Sequence, residues 1–239
     1  MMFNNRIQVL QSAGMSPRLA QRVADQPGPI GSVDIKAQDN TAEVLLYDFI
    51  GFDWWSGDGI TAKQFTQDIA SLGKLDSLTL RINSPGGDVF DGFAMYNILT
   101  SLEYDVRVEI DSIAASAASV VAMAGNSINM YETSQFMIHD AWAGVIGNEQ
   151  DLREMADVLQ KIDGQIADVY AKKAKKTDSE TFRALMNKDT YLTPKESLDI
   201  GLADMIIGTT RPPAAEAATH AARNRMAQYL AIERQRLGC

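Results

Sequence analysis

The sequence has one cysteine, Cys239, which is the last of its 239 residues. A single cysteine excludes a disulfide framework and a cysteine-based zinc site, and a buried catalytic thiol is not expected at this position. Histidine is also scarce, since only His139 and His220 are present. His220 lies in an Ala/Arg-rich tail, so His139 is the main candidate if the protein uses a histidine as a general base.

Long hydrophobic runs are missing as well. The longest small or apolar run, residues 113–125, contains two serines and is too short to span a bilayer. The first ten residues lack the apolar segment of a secretory signal. We therefore expect a cytoplasmic protein that does not enter a membrane. The formal net charge of −9 argues against nucleic acid as a partner.

Strand-like and helix-like segments alternate along most of the chain, which predicts one α/β domain. The connections between strands are long enough for parallel crossovers. We expect an N-terminal extension over 1–31, the domain over 32–208, and an Ala/Arg-rich tail over 209–239. Strands are predicted at about 32–37, 44–50, 78–83, 106–110, 127–130, 135–139 and 203–207. Helices are predicted at about 61–72, 88–102, 148–173, 179–186 and 193–200.

The stretch from Asp111 to Gly125 consists almost entirely of small residues, a composition that favours a buried helix. It follows an alternating strand pattern, so Ser116 is expected where the strand gives way to the helix. Backbone N–H groups are free at such a junction and favour negative charge. Ser116 could then combine a nucleophile with an oxyanion site. The alternative is that Ser112, Ser116 and Ser119 only fill space.

A serine becomes a good nucleophile when a base takes its proton, and that base is usually a histidine oriented by a carboxylate. His139 stands at the end of a predicted strand. Asp140 is its neighbour, but adjacent side chains of an extended segment point to opposite faces. Asp189, in a loop before a capped helix, is the better candidate for the carboxylate. A solvated loop aspartate is the alternative.

The segment Ser84-Pro85-Gly86-Gly87 follows a predicted strand and could supply outward-facing backbone N–H groups. Proline fixes the entry into the turn, and glycine permits backbone conformations that expose N–H groups. An ordinary tight turn is the alternative. A phosphate cradle is not favoured, because no Walker lysine follows and Asp88 places a negative charge nearby.

Four segments together resemble the Clp-type serine protease subunit, in the same order and at similar spacing. They are Arg-Ile-Asn-Ser-Pro-Gly-Gly-Asp (81–88), Ile-Ala-Ala-Ser-Ala-Ala (113–118), Met-Ile-His (137–139) and Asp-Thr-Tyr-Leu-Thr-Pro-Lys-Glu (189–196). The resemblance covers about 42–207. It is closer still to the Clp-like head maturation (prohead) proteases of tailed phages and prophages, through residues 83–97, 114–125 and 147–153, the Trp54-Trp55 loop and the tail.

The resemblance implies a role for each matching residue. Ser116 would be the nucleophile, His139 the general base and Asp189 its orienting carboxylate. The oxyanion hole would be formed by the backbone N–H groups of Gly86 or Gly87 and of Ala117. The glycine-containing segment 143–147 would be a strand that docks an extended substrate. Its substrate-binding residues would be Ala143, Gly144 and Val145.

The resemblance also implies a fold and an assembly. The fold would be a single-domain β/α superhelix of the Clp and crotonase type, with a protruding handle helix from Asn148 onward. The chain would form homo-oligomeric, heptameric or stacked rings that enclose the active sites, and it would need no metal and no cofactor. Its N-terminal region does not resemble the axial loops of Clp subunits, so we expect no dependence on an unfolding ATPase.

Three functions remain open from the sequence. The first is an ATP-independent serine endopeptidase that acts on scaffold and capsid proteins during phage procapsid maturation. The second is a crotonase-like acyl-CoA enzyme, which also needs two backbone donors but usually relies on acidic catalytic residues. The third is a catalytically silent assembly protein on the same fold.

Overall fold

The computed structural model describes residues 34–38, 40–52 and 59–208. Several sequence expectations lie outside these residues: the N-terminal extension over 1–31, the Trp54-Trp55 loop, and the tail over 209–239, with its His220 and Cys239. The division into three parts therefore remains an expectation.

The described residues form eight strands and six helices. The strands are β1 (Asp34–Gln38), β2 (Thr41–Leu46), β3 (Ser77–Ser84), β4 (Asp105–Ala115), β5 (Ser127–Tyr131), β6 (Gln135–Ile138), β7 (Thr190–Leu192) and β8 (Met205–Ile207). The helices are α1 (Ala62–Ser71), α2 (Val89–Thr100), α3 (Ala117–Ala122), α4 (Glu149–Ala174), α5 (Ser179–Met186) and α6 (Pro194–Ile200).

The strands form one sheet with the main order β1-β2-β3-β4-β5-β8. All neighbours on this path are parallel except β1 and β2. Strand β4 changes partner along its length: residues 107–110 pair with β5, whereas residues 113–115 pair with β6. Strand β7 then adds to β6 in the antiparallel direction. The predicted α/β fold is confirmed, and the branch at β4 is the feature that positions the site.

The predicted handle helix is α4, and its two halves differ in burial. Asn148 caps it through a capping box with Asp151, and Lys172 and Lys173 lie in its last turn. These charges complement the helix dipole. Buried residues begin only at Ile162. The N-terminal half therefore projects from the core, while the C-terminal half anchors the helix.

Helix α3 packs closely in the core because its side chains are small. All six of its residues are buried. A Cβ atom on Gly92 of α2 would lie 3.0 Å from the Cβ atom of Ala117, so glycine permits this close approach of the two helices. The strands contribute their alternating apolar face, such as Leu78, Leu80 and Ile82 of β3, all fully buried.

Two expectations about secondary structure were wrong near the site. Residues 111–115 continue β4, and the predicted helix covers only Ala117–Ala122. Cross-strand pairing is the reason, because Ala114 pairs with both Ser84 and Phe136. Strand β7 was also missed, since three residues carry little local signal.

Other boundaries moved by a few residues. The second predicted strand ends at Leu46 instead of at residue 50, and Ile50 makes only isolated bridges to Ile60 and Gly87. Within the described parts of the chain, every helix is too short or too polar to cross a bilayer.

Candidate active site

The register between β4 and β6 brings the two central residues of the site together. Ala115 pairs with Met137, and the backbone N–H of Ser116 donates to the carbonyl of Met137 over 2.9 Å. Ser116 and His139 each follow directly on the end of their strand. Because parallel strands end at the same edge of a sheet, the two side chains meet there.

The hydroxyl of Ser116 lies 2.7 Å from Nε2 of His139, which is a hydrogen-bond distance. The imidazole is largely buried, with 12% of its side chain exposed. Ser116 has φ 53° and ψ −127°, a backbone conformation that is uncommon for a residue other than glycine. Strain of this kind costs roughly 1–3 kcal/mol and is concentrated at functional sites. The sharp turn from β4 into α3 is what presents the hydroxyl.

Asp189 approaches the other nitrogen of the same imidazole. Strand β7 pairs Thr190 with Ile138, so Asp189 lies opposite His139 in the antiparallel register. Its Oδ1 atom is 4.0 Å from Nδ1 of His139, and half of its side chain is exposed. This distance permits an ionic attraction but exceeds that of a hydrogen bond. The structure therefore brings all three predicted residues together. The distance between Asp189 and His139 is about 1 Å longer than a hydrogen bond.

Asp140, the other candidate carboxylate, has different surroundings. Burial raises the pKa of its carboxyl, and the positive charges of Arg183 and His139 oppose that shift. One carboxylate oxygen is buried without a hydrogen-bond partner among the described residues. These properties are unlike those of a carboxylate that orients an imidazole through a hydrogen bond, so Asp189 is the better supported of the two.

The glycine turn that follows β3 packs directly against the nucleophile. A Cβ atom on Gly86 would lie 2.7 Å from the Cβ atom of Ser116 and 2.8 Å from the backbone nitrogen of Ala117. Gly86 and Gly87 have φ values of 88° and 146°, a range that residues with a Cβ atom rarely adopt. Asp88 then caps α2 by accepting hydrogen bonds from two backbone N–H groups.

The two glycines are not equivalent as oxyanion donors. The N–H of Gly86 donates to the hydroxyl of Ser84 over 3.1 Å, and Ser84 in turn donates to the carbonyl of Asp48. The N–H of Gly86 is therefore engaged within the turn, which makes Gly87 the better candidate of the two for a donor to substrate. The N–H of Gly87 makes no hydrogen bond to the described residues. The N–H of Ala117 lies in the first turn of α3, where backbone donors lack intrahelical partners.

We expect Gly86→Ala to reduce peptide hydrolysis by roughly 100-fold or more, because the added methyl group would occupy the space between the turn and Ala117. The same methyl group would lie 2.5 Å from the carbonyl oxygen of Ala115, so the turn must shift. Steady-state hydrolysis of a fluorogenic peptide measures the loss. Gly164→Ala, in the handle helix α4, is the matched control, since nothing lies within 4 Å of a Cβ atom there. Equal activity of Gly86→Ala and wild type would contradict this geometry.

The segment predicted to dock the substrate is not a strand in the isolated chain. Residues 141–147 have no regular secondary structure, and both Ala143 and Gly144 are exposed. A strand needs a hydrogen-bonding neighbour, and none of the described strands pairs with this segment. Its predicted role in binding an added peptide strand remains a proposal.

The start of this segment is fixed by two charged residues that the sequence reasoning did not identify. Asp163, buried on α4, accepts a hydrogen bond from the N–H of Ala141 over 2.7 Å. Its other oxygen lies 3.1 Å from Arg183 of α5. The chain leaving His139 is thus tied to the handle helix. No local sequence signal identifies this pair, because the contact joins residues far apart in the chain.

The described residues contain no group of three or more His, Cys, Asp or Glu side chains that could hold a metal ion. The candidate site contains a serine hydroxyl, an imidazole, a carboxylate and two backbone N–H groups without partners in the described structure. An α/β fold with this set of groups has the features of a serine peptidase.

The chain belongs to the Clp protease family, whose model matches residues 58–210. An ATP-dependent Clp protease proteolytic subunit from Deinococcus radiodurans is 31% identical over 163 residues, which cover 65% of this chain and 79% of that protein. The corresponding subunit from Bacteroides thetaiotaomicron is 27% identical over 168 residues, covering 68% and 76%.

A solved structure supports the fold independently. A ClpP1 mutant from Listeria monocytogenes matches with a TM-score of 0.60 over 70% of this chain and 92% of that chain. The sequence identity is 22%. This likeness concerns the fold alone, and it agrees with the predicted β/α architecture of the Clp type.

Proposed function

We propose that the protein is a serine endopeptidase with Ser116 as nucleophile, His139 as general base and Asp189 as the orienting carboxylate. Gly87 and Ala117 would supply the two backbone N–H groups of the oxyanion hole. The observation that carries this proposal is the distance of 2.7 Å between Nε2 of His139 and Oγ of Ser116. A nucleophile and its base within hydrogen-bond reach are the signature of this chemistry.

In the proposed reaction, Ser116 Oγ attacks the carbonyl carbon of the peptide bond while its proton moves to Nε2 of His139. The carbon–nitrogen bond then breaks, and the imidazolium returns that proton to the departing amine. Water then attacks the remaining acyl-serine ester and loses a proton to Nε2. The bond between the acyl carbon and Oγ breaks, Oγ takes that proton back from the imidazolium, and the acid product departs as its carboxylate. Negative charge on the tetrahedral oxygen is stabilised by the two N–H groups.

Asp189 must move closer to His139 for full activation. At 4.0 Å its carboxylate already attracts the imidazolium that forms during the reaction. Catalytic hydrogen bonds are often long in free enzymes and shorten when substrate binds. Because Asp189 is half exposed, a bound peptide or a neighbouring subunit could cover it and strengthen this interaction.

Two parallel assays test the proposal against the acyl-CoA alternative. One sample of the protein is incubated with a fluorogenic peptide and the other with acyl-CoA thioesters. We expect peptide cleavage that a fluorophosphonate abolishes, and no saturable binding of the thioester. Membership of the Clp protease family favours this outcome. Thioester turnover without peptide cleavage would contradict it. Absence of both activities in every oligomeric form would support a silent assembly protein.

We also propose that the substrates are phage scaffold and capsid proteins, and that cleavage requires no unfolding ATPase. The support is the sequence resemblance to prohead proteases, whereas the curated relatives reported above are ATP-dependent subunits. Incubation of the purified protein with the purified major capsid protein of a related phage or prophage tests this. Capsid cleavage in the absence of nucleotide is expected, and cleavage only with an added Clp ATPase would contradict it.

We propose homo-oligomeric, heptameric rings for the assembly, as the family suggests. Large apolar side chains are exposed on and near the projecting half of the handle, including Trp142, Ile146, Leu152 and Val158. Exposed apolar surface of this kind is typical of subunit interfaces. Native mass spectrometry measures the number of subunits, and a protein that is monomeric at all concentrations would contradict the proposal.

A further inference from the structure

Two buried hydroxyl groups hold the backbone of the nucleophile from inside the protein. Ser119, in the first turn of α3, donates through its Oγ to the carbonyl oxygen of Ser116 over 2.5 Å. The same Oγ lies 2.7 Å from the phenol oxygen of Tyr170 on the handle helix α4. Ser119 is fully buried and Tyr170 is 1% exposed, so the bond between the two hydroxyl groups is shielded from water.

The direction of the two hydrogen bonds follows from the number of protons. A serine hydroxyl has a single proton, and a carbonyl oxygen can only accept. The Ser119 hydroxyl therefore donates its hydrogen bond to the carbonyl oxygen of Ser116, and the Tyr170 hydroxyl donates to Ser119 Oγ. Burial raises the pKa of Tyr170 above its ordinary range, so the phenol retains the proton that it donates. The hydrogen bonds run in one direction, from Tyr170 through Ser119 to Ser116.

The carbonyl of Ser116 and the N–H of Ala117 belong to the same planar peptide group. In a trans peptide these two groups point in opposite directions, so a bond that fixes the oxygen also fixes the aim of the N–H. Ser116 has φ 53°, a conformation that persists only where surrounding contacts impose it. The hydroxyl pair supplies such a contact on the buried side of the peptide.

We propose that Tyr170 and Ser119 are positioning residues that aim the N–H of Ala117 at the developing oxyanion, and that they couple the handle helix to the nucleophile. This inference rests on the proposed function. Neither residue touches substrate or the reacting atoms. Their effect is on the orientation of one peptide group, so it should appear in the transition state and leave substrate binding unchanged.

Tyr170→Phe is a precise test because it removes only the hydroxyl. The aromatic ring retains its contact with Phe182, whose centroid is 5.5 Å away. The backbone N–H of Ser119 also still donates to the carbonyl of Ser116 over 2.9 Å, so the turn should fold. We expect kcat to fall about 10-fold with KM unchanged, and the rate of fluorophosphonate labelling to fall in parallel.

The matched control is Tyr47→Phe. Its hydroxyl also makes a hydrogen bond, a partly buried one to Asp111, but Tyr47 belongs to a separate small cluster with Leu45 outside the main core. We expect this variant to lose stability without losing kcat. If loss of a tyrosine hydroxyl lowers activity only by weakening the fold, both variants should be less active. Loss of kcat in Tyr170→Phe alone indicates a positioning role.

A double-mutant cycle tests whether Tyr170 acts through Ser119. Ser119→Ala should lower kcat at least as much as Tyr170→Phe, and the double variant should be no slower than Ser119→Ala alone. Independent, multiplying effects would contradict the proposed coupling. If Ser119→Ala fails to fold, the comparison of Tyr170→Phe with Tyr47→Phe decides the question.

The outcomes separate this inference from the proposed function. If the wild type cleaves peptides and Tyr170→Phe has the same kcat within about twofold, the positioning role is overturned and the peptidase remains. If the wild type neither cleaves peptides nor reacts with a fluorophosphonate, the proposed function is overturned and this inference falls with it.

Discussion

Ser116→Ala should lose peptide hydrolysis by roughly 10⁴- to 10⁶-fold while it retains fold and assembly, if the three residues act as a unit. The variant removes the oxygen that lies 2.7 Å from His139. It retains the Cβ atom and therefore the same backbone strain at φ 53°. The free energy of unfolding should change by only about 1 kcal/mol, the value of one hydrogen bond.

Ser112→Ala is the matched control, since Ser112 lies in the same strand and its side chain is exposed. It should hydrolyse peptides at the wild-type rate. Purified Ser116→Ala that still cleaves peptides would remove Ser116 as the nucleophile. If the variant fails to fold or assemble, the Ser116 side chain is needed for the structure of the turn between β4 and α3. Circular dichroism and native mass spectrometry detect that outcome separately from the loss of activity.

His139→Ala should cause a loss of similar size, roughly 10⁴- to 10⁶-fold, because the serine then has no base to accept its proton. The chain has only one other histidine, which makes His220→Ala a simple control with the expected activity of the wild type. Hydrolysis near the wild-type rate in His139→Ala would contradict its role as base.

The pH dependence tests the same residue without a substitution. Neutral imidazole accepts the serine proton, whereas protonated imidazole cannot. Activity should therefore fall as the pH is lowered through roughly 6 to 7, the range in which histidine titrates. A rate that stays flat across this range would count against His139 as the general base.

The parts of the fold that depend on local signals could be predicted from the sequence. Three local signals mark their elements correctly: Asn148 as the N-cap of α4, the capping box that begins at Thr193, and the alternation in β3. The continuation of β4 to Ala115 could not be predicted in this way. Residues 111–115 are mostly small, and they form a strand because Ser84 and β6 pair with them. Such pairing is set by contacts between residues distant in sequence.

In the site, too, some features could be predicted from the sequence and others depend on contacts between distant residues. Ser116, His139 and Asp189 were identified from the motifs and from the scarcity of histidine, and the structure brings them together. The choice between Gly86 and Gly87 could not be made, because it depends on the Ser84 hydroxyl taking one N–H. Tyr170 has an ordinary place in a helical pattern, and only the fold brings its hydroxyl to Ser119.

Mass spectrometry after fluorophosphonate treatment tests the central claim most directly, namely that His139 activates Ser116. The protein should be treated in each oligomeric form and then digested. One adduct is expected, on the peptide that contains Ser116, and it should be absent from His139→Ala. An adduct confined to another serine, or no adduct in any form, would contradict the account.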